Sequence, residues 1–363
     1  MKVGISLLTL VPGVVGGSET YARELTRALA RLGRLELGEI EYEAFVPSVA
    51  PDAADGLPAR VVPEYRASAS TVGRVAAMSR AWIAPGRLRR ALRLDTLDAI
   101  HFPLSVMIPP VRDRPPAAAT VHDLQHELYP QFFSRAELAY RRLVYGQTIT
   151  ASRIVIAISE HARQTLLQRY GIDPERVVVI PLGIDHERLT PGDAQREPFL
   201  LYPANPWPHK NHARLYEAFA LVRRERPELR LVLTGTGHDP VTLPDGVESR
   251  GRVSFDELVA LYRTASALVF PSLYEGFGLP PLEAMACGCP VAVSSATALP
   301  EVCGDAAEHF DPLSADDLAR AIAAVLANPA PFVERGLARA QQFSWETCAR
   351  AHEDVYRRLA GGG

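Results

Sequence analysis

The chain alternates between two kinds of segment, and the alternation restarts once. Short apolar runs at residues 2–8, 41–47, 99–102, 117–121, 154–158 and 176–180 read as strands buried on both faces. Between them, residues 21–32 and 133–149 carry helical spacing, with Ser18 or Thr20 as a cap before the first and Gly33 as its end. Residues 50–70, rich in Pro, Ala and Asp, read as loop. P-L-G-I-D at 181–185 opens a polar segment that ends near Pro198. A second series then begins, with strands expected at 199–204, 231–234, 267–270 and 290–293 and helices at 213–224, 255–264, 316–327, 331–342 and 344–359. The pattern predicts an α/β protein of two doubly wound, Rossmann-like domains facing a cleft. Their expected limits are residues 1–185 and 186–343, followed by a terminal helix within 344–363.

Composition narrows the class. A chain of 363 residues, 47% hydrophobic and 22% charged, suits two soluble globular domains. A net charge of −3 gives no overall drive toward nucleic acid. No run approaches the ~18 apolar residues of a membrane span. The apolar N-terminus is short and passes into G-G-S-E-T-Y, a helix start rather than a cleavage site, so a cytoplasmic location is expected. Cys287, Cys289, Cys303 and Cys348 form no C-x-x-C pair and read as buried free thiols. Of 39 basic residues only Lys2 and Lys210 are lysine, so an internal lysine here has a specific reason.

The stretch 266–305 carries the chemistry. Between its two apolar runs lies a polar loop, E-G-F-G-L-P-P-L-E, that leads into a short helix. Gly276 and Gly278 let the backbone turn tightly, and Pro280 and Pro281 suit a first helical turn. A strand, a glycine turn and a helix N-terminus form an anion site. Glu275 and Glu283 add acceptors for hydroxyl groups. A nucleotide-sugar offers phosphates in its middle and hydroxyls at both ends.

This motif resembles the E-x7-E signature of retaining glycosyltransferases of the GT-B fold, family 4 (GT4), and nearly the whole chain shares the resemblance. It implies that Glu275 contacts the transferred sugar and Glu283 the ribose diol. Gly276, Phe277, Gly278 and Leu279 would belong to the donor-binding loop. Gly16 and Gly17, between the first strand and helix, match a motif that faces the donor diphosphate. His122, at the end of a strand in T-V-H-D-L, matches an active-site histidine beside the transferred sugar, with Asp123 and His126 on the acceptor side. Lys210, in N-P-W-P-H-K-N-H, matches a lysine that neutralises the leaving diphosphate. Many relatives carry arginine where this chain has Asn205, which leaves neutralisation more dependent on Lys210. Gly235, in the loop 230–237, and Val253, in 251–254, would lie on the nucleotide side. The terminal helix would return to the first domain.

The resemblance further implies transfer of a hexose with retention of configuration, to a glycan or lipid-linked acceptor. The turn around Lys210 looks most like mannosyltransferases that use GDP-mannose. No D-x-D triplet occurs, so neither a catalytic metal nor a further cofactor is expected. A nucleotide-sugar epimerase on the same fold, or an inactive sugar-nucleotide-binding protein, remain alternatives. Residues 74–94 read as a basic amphipathic helix, either suited to peripheral contact with the inner face of an anionic membrane or an ordinary surface helix of an arginine-rich chain.

Overall fold

Strands apolar on both faces need helices above and below, and each half of the chain supplies them. The computed structural model describes residues 1–13, 16–35, 39–111 and 114–361, so Val14 and Val15 of the first glycine loop lie outside the described residues. Two compact units result: Met1–Gly183 with Trp345–Gly363, and Ile184–Ser344.

The first unit contains β1 (Lys2–Ser6), α1 (Gly17–Leu35), β2 (Glu41–Val46), β3 (Ala59–Val61), α2 (Thr71–Ile83), α3 (Pro85–Ala91), β4 (Ala99–Phe102), β5 (Ala117–Val121), α4 (Gln125–Leu128), α5 (Arg135–Ala151), β6 (Ile154–Ala157), α6 (Glu160–Tyr170) and β7 (Val177–Val179). Its parallel sheet has the order β3-β2-β1-β4-β5-β6-β7. Strands β4, β5 and β6 are buried at every position, including the two polar ones, His101 on β4 and Thr120 on β5. Helix α5 starts on a capping box of Ser134 and Glu137, and Ser159 caps α6.

The second unit contains β8 (Glu197–Pro203), α7 (His212–Arg223), β9 (Arg230–Thr234), β10 (Val247–Ser249), α8 (Phe255–Thr264), β11 (Ala265–Phe270), α9 (Leu279–Ala286), β12 (Val291–Ser294), α10 (Leu299–Cys303), β13 (Glu308–Phe310), α11 (Ala315–Ala327) and α12 (Ala330–Ala340). Its parallel sheet runs β10-β9-β8-β11-β12-β13. Ile184 and Ser344 pair as an isolated parallel bridge where the chain enters and leaves this unit. The last helix, α13 (Trp345–Gly361), belongs to the first unit and packs on α1, β4 and β5.

Four readings change. The basic segment 74–94 is two helices, because Pro85 cannot continue α2 and instead occupies the first turn of α3. Its Met78, Leu88 and Leu92 join the core and Trp82 packs against it, while Ile83 stays exposed. Helix α1 starts at Gly17 and runs through Gly33, so neither Ser18 nor Thr20 precedes it. The loop at 50–70 contains β3, which pairs with β2.

Candidate active site

In the second unit the order of strands reverses between β8 and β11, the place where doubly wound sheets bind ligands beyond their carboxyl ends. The loop after β8 carries Lys210 and the loop after β11 carries Glu275. Their side chains meet: Lys210 Nζ lies 2.6 Å from Glu275 Oε1, with 15% and 14% of the two side chains exposed. The sequence places each residue in its loop but does not show that they pair.

Both loops are held rigidly. Tyr202, fully buried on β8, donates its hydroxyl to the Lys210 carbonyl at 2.7 Å. Leu273 N–H donates to the His209 carbonyl at 2.8 Å. Asn211 takes a left-handed conformation, φ 60°, and its amide donates to the Pro271 and Pro312 carbonyls. The Phe270 ring lies 5.3 Å from the Lys210 ammonium. Thr297, also left-handed at φ 57°, accepts the Glu275 N–H on its hydroxyl at 3.0 Å. Neither Thr297 nor Asn211 carries a sequence signal, since neither is a glycine.

Gly278 precedes α9 at φ 106°, and a Cβ there would come within 2.6 Å of Leu299 Cδ2. The turn therefore requires glycine on two counts. Pro280 and Pro281 carry no N–H, so the N–H groups at the tip of α9 belong to Gly278 and Leu279. Gly276 lies in the same turn, while the Phe277 ring is buried edge-on against Phe343 at 5.8 Å. Phe277 can thus reach a donor only through its backbone. Glu283 projects from α9 and accepts the Tyr262 hydroxyl at 2.9 Å.

Asn205 bears on a neighbouring loop. Its side-chain oxygen accepts the Thr236 N–H at 2.8 Å, and a Cβ on Gly235 would approach that oxygen to 2.6 Å. It braces the G-T-G turn and supplies no charge. Val253 is half-buried in the segment that ends at Ser254, the cap of α8. Burial pushes the Cys287, Cys289 and Cys303 thiols up to about 12, which leaves them unsuited to act as nucleophiles.

In the first unit, Gly16 and Gly17 lead into α1, and Glu19 accepts the Gly13 N–H at 2.8 Å, closing that loop. His122 follows β5 and is 8% exposed. Its Nε2 lies 2.7 Å from the Pro103 carbonyl and must carry the proton, since a carbonyl only accepts. Burial holds its pKa below the ordinary histidine value, against the opposing pull of that carbonyl. Asp123 accepts the Gln125 N–H, and His126 is buried edge-on to Tyr145. Among the described residues, no group of three or more His, Cys, Asp or Glu gathers where it could hold a metal ion.

Comparison with known proteins meets this geometry from both ends of the chain. The family described as Glycosyl transferases group 1 matches residues 185–342, and Glycosyltransferase Family 4 matches residues 15–188. The O-antigen chain mannosyltransferase B of Escherichia coli is 31% identical over 300 residues, covering 76% of this chain and 78% of that protein. The MMP alpha-(1->4)-mannosyltransferase of Mycolicibacterium hassiacum is 30% identical over 277 residues, covering 71% and 66%. Among solved structures, sucrose-phosphate synthase from Thermosynechococcus elongatus superposes with a TM-score of 0.74 at 21% identity over 100% of both chains. Anabaena HepE in complex with UDP and glucose gives 0.70 at 16% identity, covering 98% of this chain and 99% of that one. The structural likenesses establish the GT-B fold; the sequence matches, which cover both halves, establish that this chain belongs to the GT4-type glycosyltransferases.

Proposed function

We propose that the chain moves a hexose, mannose in preference, from a nucleoside diphosphate sugar to a hydroxyl of a glycan or lipid-linked acceptor. Anomeric configuration is retained and no metal takes part. The Lys210–Glu275 pair at the β8/β11 switch point carries this reading. An ammonium has three donors, so Lys210 can hold Glu275 and still meet oxygens of the leaving diphosphate. Glu275, fixed through its own N–H by Thr297, offers acceptors to sugar hydroxyls. The N–H groups at the tip of α9 add partial positive charge near the diphosphate, and Glu283 faces the ribose. Among the described residues, no side chain stands out as a covalent nucleophile. In the front-face route the departing phosphate takes the acceptor's proton, and catalysis rests on positioning and charge stabilisation. The mannosyltransferase names of the relatives, together with the turn around Lys210, favour GDP-mannose as donor. The UDP in the HepE complex supports a nucleoside diphosphate sugar as the donor class.

The test is nucleoside diphosphate release from GDP-mannose in the presence of a glycan acceptor and excess EDTA. Turnover should persist. Loss of activity that Mg²⁺ or Mn²⁺ restores would contradict the metal-free route.

A lipid-linked acceptor would bring the first unit to a membrane surface. No helix among the described residues is long and apolar enough to cross one. Arg89 and Arg90 of α3 line a cavity of about 660 Å³ with Arg114 and Arg153, and Val72 and Ile83 of α2 are 81% and 83% exposed. Arginines on one helix and exposed apolar side chains on the helix packed against it suit anionic headgroups. The protein should float with anionic liposomes at low salt and be released at high salt. Replacing Arg87, Arg89, Arg90 and Arg93 together should abolish flotation; unchanged flotation would reject this segment as the docking surface.

A further inference from the structure

The core of the first unit contains a row of polar side chains that none of the steps above uses. Tyr356, His101, Thr120, Tyr21 and His352 are all fully buried. Tyr356 Oη lies 2.8 Å from His101 Nδ1, and His101 Nε2 lies 2.8 Å from Thr120 Oγ1. Thr120 Oγ1 lies 2.8 Å from Tyr21 Oη, which lies 2.8 Å from His352 Nε2. The row ends where His352 Nδ1 meets the Cys348 carbonyl at 2.8 Å.

That carbonyl fixes every proton. It only accepts, so His352 Nδ1 carries a hydrogen. Burial pulls the His352 pKa down to about 4 and that of His101 well below its ordinary value, so both rings are neutral at neutral pH. His352 Nε2 is therefore bare and accepts from Tyr21. Tyr21 has then spent its one hydrogen and must accept from Thr120. Thr120 in turn accepts from His101 Nε2–H, and His101 Nδ1 accepts from Tyr356. The row runs in one direction, with each donor matched to one acceptor.

Its fourth member, Tyr21, touches the candidate site. The Tyr21 ring meets the His122 imidazole edge-on, with centroids 4.8 Å apart and planes at 80°. Tyr21 is held on two sides by its hydroxyl, and His122 is held on its far nitrogen by the Pro103 carbonyl. We propose that Tyr21 and His352 are positioning residues: the returning helix α13, through His352, fixes Tyr21, and Tyr21 fixes the His122 ring. The first unit's part of the site is then complete only when the last helix of the chain is docked. This rests on the reading of His122 as a residue that faces the transferred sugar.

Two measurements test it. Nitrogen-15 NMR of the unmodified full-length protein should find His101 protonated at Nε2 and His352 at Nδ1; the opposite tautomer at either ring would overturn the order. Tyr21→Phe keeps the ring and removes the hydroxyl. It should lower kcat about 10-fold with the donor KM changed by less than about 2-fold, and it should shift the His122 resonances. Tyr42→Phe is the control, since Tyr42 donates to Glu353 at 2.7 Å and anchors the same helix without a hydrogen bond to the row, its ring meeting that of Tyr356 edge-on. It should lower the melting temperature while leaving kcat and the His122 resonances in place. If Tyr21→Phe behaves like Tyr42→Phe, the row is only a structural anchor and the proposal falls. Shifted His122 resonances, with kcat unchanged in both Tyr21→Phe and His122→Ala, would uphold the positioning and sink instead the reading of His122.

Discussion

Replacing Lys210 with alanine should lower kcat/KM for donor turnover by about 10³-fold, or ~4 kcal/mol of transition-state stabilisation, with the circular dichroism spectrum unchanged. Two effects combine. The leaving diphosphate loses the cation nearest to it, and Asn205, braced against Thr236, brings no charge in exchange. Glu275, only 14% exposed, also loses its partner, and an unpaired carboxylate that little exposed is free to turn away from the sugar. Lys210→Arg should recover part of the activity. The ammonium sits beside the Phe270 ring, in a turn fixed by Tyr202 and Asn211. A planar guanidinium needs a wider slot than a compact ammonium does. Full activity in Lys210→Arg would show that any cation at this position suffices.

The second largest effect should belong to Glu275. Glu275→Ala should lower kcat by about 10²-fold, because its contact with the sugar strengthens as the ring gains positive charge. Glu283→Ala should mainly raise the donor KM, since a ribose contact serves ground state and transition state alike. Steady-state kinetics of both variants separate the two roles. Small, equal effects would make both carboxylates structural.

How much of this was legible beforehand depends on the kind of force involved. The central strands could be read because burial on both faces leaves an almost wholly apolar run, as at 154–157. Helix α8 matches the expected 255–264 to the residue, and the capping box of Ser254 and Glu257 fixes where it starts. Strands β3, β10 and β13 were not: each has only three residues and, unlike the all-valine β7, mixes polar with apolar positions. The E-x7-E spacing and the scarcity of lysine pointed to Glu275 and Lys210 individually. Their pairing depends on strand order, which places β8 beside β11 although Lys210 and Glu275 lie 65 residues apart in the chain. The supports were silent for a similar reason. Thr297 and Asn211 act through a left-handed backbone that only the folded chain imposes, and His352 meets Tyr21 only after α13 has returned to the first unit.

The central claim is that Lys210 and Glu275 act as one unit at the switch point, and a double-mutant cycle on kcat/KM tests it most directly. Residues that act together lose their effect once rather than twice. The account predicts that Lys210→Ala combined with Glu275→Ala is about as impaired as Lys210→Ala alone, about 10³-fold below the parent. A multiplicative loss of about 10⁵-fold would contradict it, because the two residues would then be serving separate steps.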